Sequence, residues 1–378
     1  AARTMATRSI ALVDSALALL LQNGSISGCI GGGELCASLV QPASIDLPIG
    51  SRCVLVREKV LPFEREVRDL LKREDKVLEE RELPKGETLL LLKGQTYLFP
   101  CCKLDLPDHL KGSLSPKSSI GRVDLMVRGI FDGCGLYDTI TGAGELWLEV
   151  TPRSFNVRVG HGQTLSQLMV FDSKPEEAPP GSEASPLSGP FTLSFDASGE
   201  KLEHKIHRDA LILSLNLKPS STGSVGFEAL PTSATVDLTK IGTHNPVEYF
   251  RPVLPNPERG CVTLEKDKFY ILSTKELVSI PVHLSAEMVP FSQHVGELRA
   301  HYAGFFDPGF GYGKSGEQKG TVAVLEVRPH ETITVYDGQP ICLMEFFYNA
   351  QAPEKPYGQA GNSYHLQQGP KLAKYFSS

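Results

Sequence analysis

Short apolar runs alternate with turn residues along most of the 378 positions of this chain. The runs are β-branched and aromatic and are cut by Gly, Pro and Asp, which predicts strands, and their density predicts an all-β barrel or jelly roll. Helical spacing is confined to two places. Ser9 to Gln22 carries Asp14 and Ser15 near its middle, and Glu64 to Arg81 (EREVRDLLKREDKVLEER) reads as a highly charged amphipathic helix with a solvated face. The longest apolar run, Ala16 to Leu21, is far shorter than the roughly 20 residues of a membrane span, so none is expected.

The pattern also repeats. KGQTYLFPCCKLDLPDHLKGSLSP (Lys93 to Pro116) is answered by KDKFYILSTKELVSIPVHLSAEMVP (Lys266 to Pro290), with Tyr97 opposite Tyr270, Pro107 opposite Pro281 and His109 opposite His283. Further on, ELWLEVTPRSFNVRVGHGQ answers TVAVLEVRPHETITVYDGQ, with Glu149 opposite Glu326 and Gly162-Gln163 opposite Gly338-Gln339. A register kept over such distances marks an internal duplication. Between the copies, Ser173 to Pro190 is rich in Pro, Ser, Gly and Glu and reads as a linker. The expected organisation is a first β domain over 1–172, the linker over 173–190 and a second β domain over 191–378, in keeping with a length too great for one core.

A net charge of -6 argues against a nucleic-acid groove, because phosphate backbones are bound through clustered Lys and Arg. Local positive charge still suffices for a small anionic ligand. Eight cysteines are scattered with no C-x-x-C pair, which predicts reduced thiols rather than a disulfide framework and a cytoplasmic setting. Residues Ala1 to Ser9 hold Arg3 and Arg8 and no acid; an organellar setting follows if they are a targeting remnant.

Three segments could carry chemistry. PKSSIGR, Pro116 to Arg122, sets two hydroxyls between Lys117 and Arg122, which suits a triphosphate, although a basic Ser-rich turn is also a common surface feature. Its counterpart PFSQHVG, Pro290 to Gly296, lacks both charges. RAHYAGFFDPGFGYG, Arg299 to Gly313, breaks from a strand into an Asp-Pro-Gly-Phe turn. Backbone near Ala303 and Gly304 could read a base edge there and Phe305, Phe306 or Phe310 could pack on a ring, unless the segment is simply a hairpin with a buried aromatic face. Glu149 and Glu326 sit in L-E-V strands whose alternation turns the carboxylate away from the neighbouring Leu and Val. A buried acid there would have a raised pKa suited to proton transfer, whereas a solvent-facing one would be inert.

Taken together these segments resemble the dCTP deaminase branch of the dUTPase superfamily, and more closely its tandem two-domain bacterial members. QPASIDLPIG (Gln41 to Gly50) looks like the family's first motif, PKSSIGR like its phosphate and serine motif, HYAGFFDPGF with VLEV like its nucleoside hairpin and catalytic glutamate, and YGQAGNSYHLQQG (Tyr357 to Gly369) like its closing tail. The resemblance implies two tandem dUTPase-like β domains and hydrolytic deamination of dCTP to dUTP without zinc. It implies that Ser118, Arg122 and Glu326 are catalytic, with Glu149 as rival to Glu326. Lys117, Ser119 and Gln367 would bind phosphate, and Ala303, Asp307, Phe310 and Tyr357 would shape the nucleoside pocket. Mg2+ would enter on the triphosphate, and the partners implied are the dCTP or dUTP nucleotide and further copies of the chain, with the site at a domain interface.

Two departures stand out: Lys117 replaces an arginine, and Ser363 stands where a tail lysine is expected. No single copy holds every motif, so a composite site between copies is the natural expectation. The tail, rich in Gly and Gln, reads as a mobile flap that could be removed without loss of the fold. Zinc-dependent deamination is disfavoured because H-x-E and P-C-x-x-C are both missing. Two alternatives stay open: a dUTP diphosphatase or bifunctional enzyme carrying dCTP through to dUMP, with Asp307 as its acid, and a degenerate, non-catalytic nucleotide-binding member.

Overall fold

The computed structural model describes residues 9–28, 37–72, 75–176, 178–290, 304–359, 364, 367 and 369–377. Short antiparallel strands dominate, and the α-helices among the described residues are brief: Asp14–Gln22, Val67–Leu71 and Ser118–Gly121. The all-β expectation holds. In the first half, strands Val77–Glu82, Arg52–Val56, Thr96–Asp105, Ala143–Pro152 and Leu125–Phe131 form one sheet in that order. A second sheet runs Ile10–Ala11, Thr164–Asp172, Leu110–Pro116 and Thr139–Ile140. The second half is built alike, with Tyr270–Val278 against Thr321–Val327 and Pro340–Tyr348 against Leu284–Pro290.

The duplication is visible in atomic detail. The Tyr97 hydroxyl accepts the Leu92 amide at 2.9 Å, and the Tyr270 hydroxyl accepts the Glu265 amide at the same distance. Gly162 and Gly338 both turn with positive φ, 71° and 77°, a backbone conformation that explains why each copy keeps a glycine before its glutamine. Alternation then sorts the side chains. Along Thr321–Val327, Ala323, Leu325 and Val327 enter the core of the second half, while Val324 points the other way and joins the core of the first.

The two halves share structure. Thr235–Asp237 lies parallel to Asn156–Arg158 and so joins a sheet of the first half, and Tyr249, Phe250, Phe269 and Ile271 are buried in the first core. Arg328, at the end of the Glu326 strand, donates to the buried Asp124 carboxylate and, at 3.0 Å, to Ser154. Within the stretch that reads as a linker, Leu187 is buried in the second core.

Three local expectations are corrected. Glu64 to Arg81 is not one helix: only Val67–Leu71 coils, and Val77–Glu82 is an edge strand on Arg52–Val56. Its dense charges suit such an edge, with Arg52 paired to Glu80 and Arg81 to Glu79. The first helix begins at Asp14, because Ile10 and Ala11 pair with Asp172 and Phe171. The tail is not a removable flap. Ala373, Tyr375 and Phe376 are buried in the first core, and the Phe376 ring meets Tyr249 and Phe250 edge-on at 5.2 and 5.3 Å.

That packing makes a prediction. Phe376→Ala should cost about 3 kcal/mol, the lower end for a buried aromatic truncated in place, and lower the melting temperature seen by calorimetry. An unchanged melting temperature would mean that the end of the chain is not part of the core.

Candidate active site

Both halves line a cavity of about 210 Å³. The first contributes the turn that follows strand Leu110–Pro116. Lys117 is extended, its carbonyl accepts the Ile120 and Gly121 amides at 2.8 and 3.0 Å, and the single helical turn Ser118–Gly121 presents Lys117, Ser118, Ser119 and Arg122 to the cavity. Gly304 lies beside Ser118, whose hydroxyl oxygen would be 3.7 Å from a Cβ placed on that glycine.

The second half contributes the acid. Glu326 shares the face of Val324, the face turned toward the first half, and its cross-strand neighbour Ile271 is buried in the first core. Its Oε1 stands 3.7 Å from Arg122 Nε, and both side chains are nearly inaccessible. Burial pushes the Glu326 carboxyl up to about 8, with the Arg122 charge pulling back only in part. The cost of ionising a carboxylate away from water therefore exceeds the gain from a cation just beyond hydrogen-bond distance.

Arg122 is held on its other edges by the tail. Its Nη1 and Nη2 each donate to Gln367 Oε1 at 3.2 Å, Nη1 donates to the Lys371 carbonyl at 2.8 Å, and the guanidinium stacks 3.8 Å from the Tyr364 ring centre. Gln367 also donates to the Val322 carbonyl at 2.8 Å, tying the tail to the Glu326 strand. Gln367, expected as a phosphate ligand, lines the cavity and also braces Arg122.

The Asp-Pro-Gly-Phe segment is a tight turn in which the Asp307 carbonyl accepts the Phe310 amide at 3.1 Å and Gly309 takes a φ of 98°. A side chain at Gly309 would also strike the Tyr357 backbone, whose amide donates to the Pro308 carbonyl at 2.8 Å. Phe310 and Tyr357 meet edge to face at 5.4 Å and line the apolar side of the cavity. The Asp307 carboxyl, accepting the Ala43 amide at 3.3 Å, is pushed up to about 7 by burial and by the nearby Asp46 charge. Asp46 in turn pairs with Lys117.

The cavity therefore gathers Ser118, Arg122 and Glu326 with Lys117, Ser119, Asp307, Phe310, Tyr357 and Gln367. Ala303, Ser363 and the second-copy segment from Phe291 lie outside the described residues. Glu149 is not among the lining residues. Its carboxylate accepts the Val60 amide at 2.9 Å and faces Lys59 at 3.8 Å, covered by the chain that precedes helix Val67–Leu71, and burial raises its pKa as well.

Residues 11–174 match the family model for the 2'-deoxycytidine 5'-triphosphate deaminase N-terminal domain, and residues 195–376 match the model for its C-terminal domain. The crystal structure of 2'-deoxycytidine 5'-triphosphate deaminase from Agrobacterium tumefaciens superposes with a TM-score of 0.78 at 33% identity, covering 92% of this chain and 100% of that one. The chain belongs to the dCTP deaminase family.

Curated relatives include proteins named "dCTP deaminase, dUMP-forming". The one from Leifsonia xyli is 36% identical over 30% of this chain, and the match spans 55% of that relative's length. The one from Corynebacterium jeikeium is 28% identical over 36% of this chain and 72% of its own length. Within the dCTP deaminase fold, sequence reasoning missed several cavity residues. Asp46 stands inside the QPASIDLPIG motif and Tyr364 inside the tail motif, but a charge or stacking partner distant in sequence leaves no local pattern. Lys374 lies beyond the tail motif and carries no signal.

The buried acid makes a second prediction. Folded Glu326 keeps its proton to about 8 while the unfolded chain releases it near 4.5, so its contribution to stability is present at low pH and lost as pH rises through that window. Glu326→Gln should therefore match the parent protein near pH 4 and become progressively more stable than it up to about pH 8 in thermal melts. A stability difference that stays flat with pH would mean that the carboxylate is ionised throughout.

Proposed function

We propose that this cavity deaminates the cytosine ring of dCTP. The observation that carries the reading is the meeting of a buried, proton-holding Glu326 with Arg122 and Ser118 in one cavity built from both halves. Ser118 and Arg122 hold a water, and Glu326, in the ionised fraction that a carboxyl near 8 keeps at neutral pH, takes one of its protons as the oxygen bonds to C4. The same carboxyl then returns that proton to the amino nitrogen, the C4–N bond breaks as the C4 carbonyl forms, the remaining hydroxyl proton passes to N3, and the sum is dCTP plus water giving dUTP plus ammonia. A carboxyl near 8 suits both halves of that exchange, being able to accept a proton and to give it back near neutral pH.

Phe310 and Tyr357 take the nucleoside from its apolar side, while Lys117 and Ser119 face the phosphates. Mg2+ is part of the substrate in this reading, riding on the phosphate oxygens. The water is activated by protein groups, in keeping with the absence of the H-x-E and P-C-x-x-C motifs that zinc deaminases need.

Deamination to dUTP alone is the narrower expectation, and the relatives' names favour the wider one, in which dUTP and a second water give dUMP and pyrophosphate. Asp307 supports it as the second acid of the cavity, with a pKa of about 7.

Incubation with dCTP and Mg2+ tests both steps, with cytosine absorbance and the separated nucleotides followed in the presence of phenanthroline. Ammonia, dUMP and pyrophosphate are expected, and Asp307→Asn should stop the course at dUTP. dUTP as the sole product of the parent protein would confine the activity to deamination. Loss of ammonia release that only added zinc restores would overturn the mechanism.

A further inference from the structure

Among the described residues three cations line the cavity, and two of them already have acids. Lys117 is paired with Asp46, and Arg122 faces Glu326 and is braced by Gln367. Lys374 is different. Among the described residues its ammonium has no carboxylate within ion-pair distance, and its side chain is half-buried beside the cavity. Its backbone is nonetheless fixed: the amide donates to the Tyr364 hydroxyl at 3.2 Å and the carbonyl accepts the Gly242 amide at 2.9 Å. Buried Ala373, Tyr375 and Phe376 flank it, so the ammonium stands on a rigid base rather than on a free tail. The Tyr375 ring lies 5.8 Å from its Nζ, and the hydroxyls of Tyr364 and Tyr375 both engage Ser119.

We propose that Lys374 binds the terminal phosphates of the nucleotide and makes the cavity select triphosphates. The inference rests on the nucleotide reading above and adds to it the residue that counts phosphates. A cation held at a cavity wall without its own acid attracts an anion from solution, and the phosphate side is where Lys117 and Ser119 already stand. Burial and the Lys117 charge both lower the pKa of Lys374, which a bound polyanion would reverse. The Asp46 charge acts on Lys374 in the opposite sense, but Asp46 makes its ion pair with Lys117.

The test compares Lys374→Gln and Lys374→Arg with the parent protein in three measurements: dCTP turnover, turnover of deoxycytidine, and competition by inorganic tripolyphosphate. Lys374→Gln should raise KM for dCTP about 10-fold or more, the effect of removing one charge-assisted hydrogen bond, and the change should fall on KM rather than kcat. Tripolyphosphate inhibition should weaken by a similar factor, deoxycytidine turnover should not change, and Lys374→Arg should recover most of the dCTP affinity. A KM within about twofold of the parent in a folded Lys374→Gln protein overturns the proposal, as does an equal loss for deoxycytidine, which would mean that the lysine shapes the cavity. If the parent protein deaminates nothing, direct titration with tripolyphosphate still decides the matter: weaker binding to Lys374→Gln supports the anion site even where the deaminase reading has failed, and equal binding removes it.

Discussion

The buried approach of Arg122 to Glu326 is the interaction on which the site depends, because one residue comes from each copy of the duplicated chain. Two charges taken out of water are costly unless each is well partnered. Here the partners are distributed: Gln367, Lys371 and Tyr364 hold the guanidinium, while the carboxyl keeps its proton. Two residues further along each segment, Asp124 and Arg328 form a second buried pair with the charges exchanged. The two pairs cross the same junction with acid and base in opposite order. Removing one member of a buried charged pair such as Asp124–Arg328 typically costs about 3–5 kcal/mol, which helps to hold the register of the junction.

Duplication supplied the chain with the same strand glutamate twice, and the copies have been put to different ends. Glu149 and Glu326 sit at matching places in matching strands, and both are buried with raised pKa values. What differs is what covers them. Glu149 is sealed under Val60, whose amide its carboxylate accepts, whereas Glu326 opens on a cavity that the first copy completes with its Ser118 turn. One chain thus builds a full set of groups at one junction from two incomplete copies.

The sequence made the β architecture legible because strand periodicity is local and the duplicate confirmed each reading against the other. The same alternation pointed Glu326 off its own core, and the family resemblance gathered PKSSIGR and the Asp-Pro-Gly-Phe turn into one site. What stayed hidden was long-range. Glu64 to Arg81 has helical charge spacing, yet its second part pairs as an edge strand because Arg52–Val56 offers it a free edge. The tail has the composition of a flap, yet three residues past its motif are core because Tyr249 and Phe250 form an aromatic bed for Phe376. Asp46 and Lys374 belong to the cavity only through folding, since nothing in their neighbouring residues announces it.

The central claim is that a single chain completes the site, and mixing two inactive variants tests it most directly. Arg122→Ala and Glu326→Ala each remove one side of the junction, one from each copy. If the site lies within the chain, every molecule in the mixture carries one broken junction, and deamination of dCTP stays absent even after subunit exchange has been verified with labelled protein. Activity returning on mixing would contradict the account, because it would require Arg122 of one chain to serve Glu326 of another.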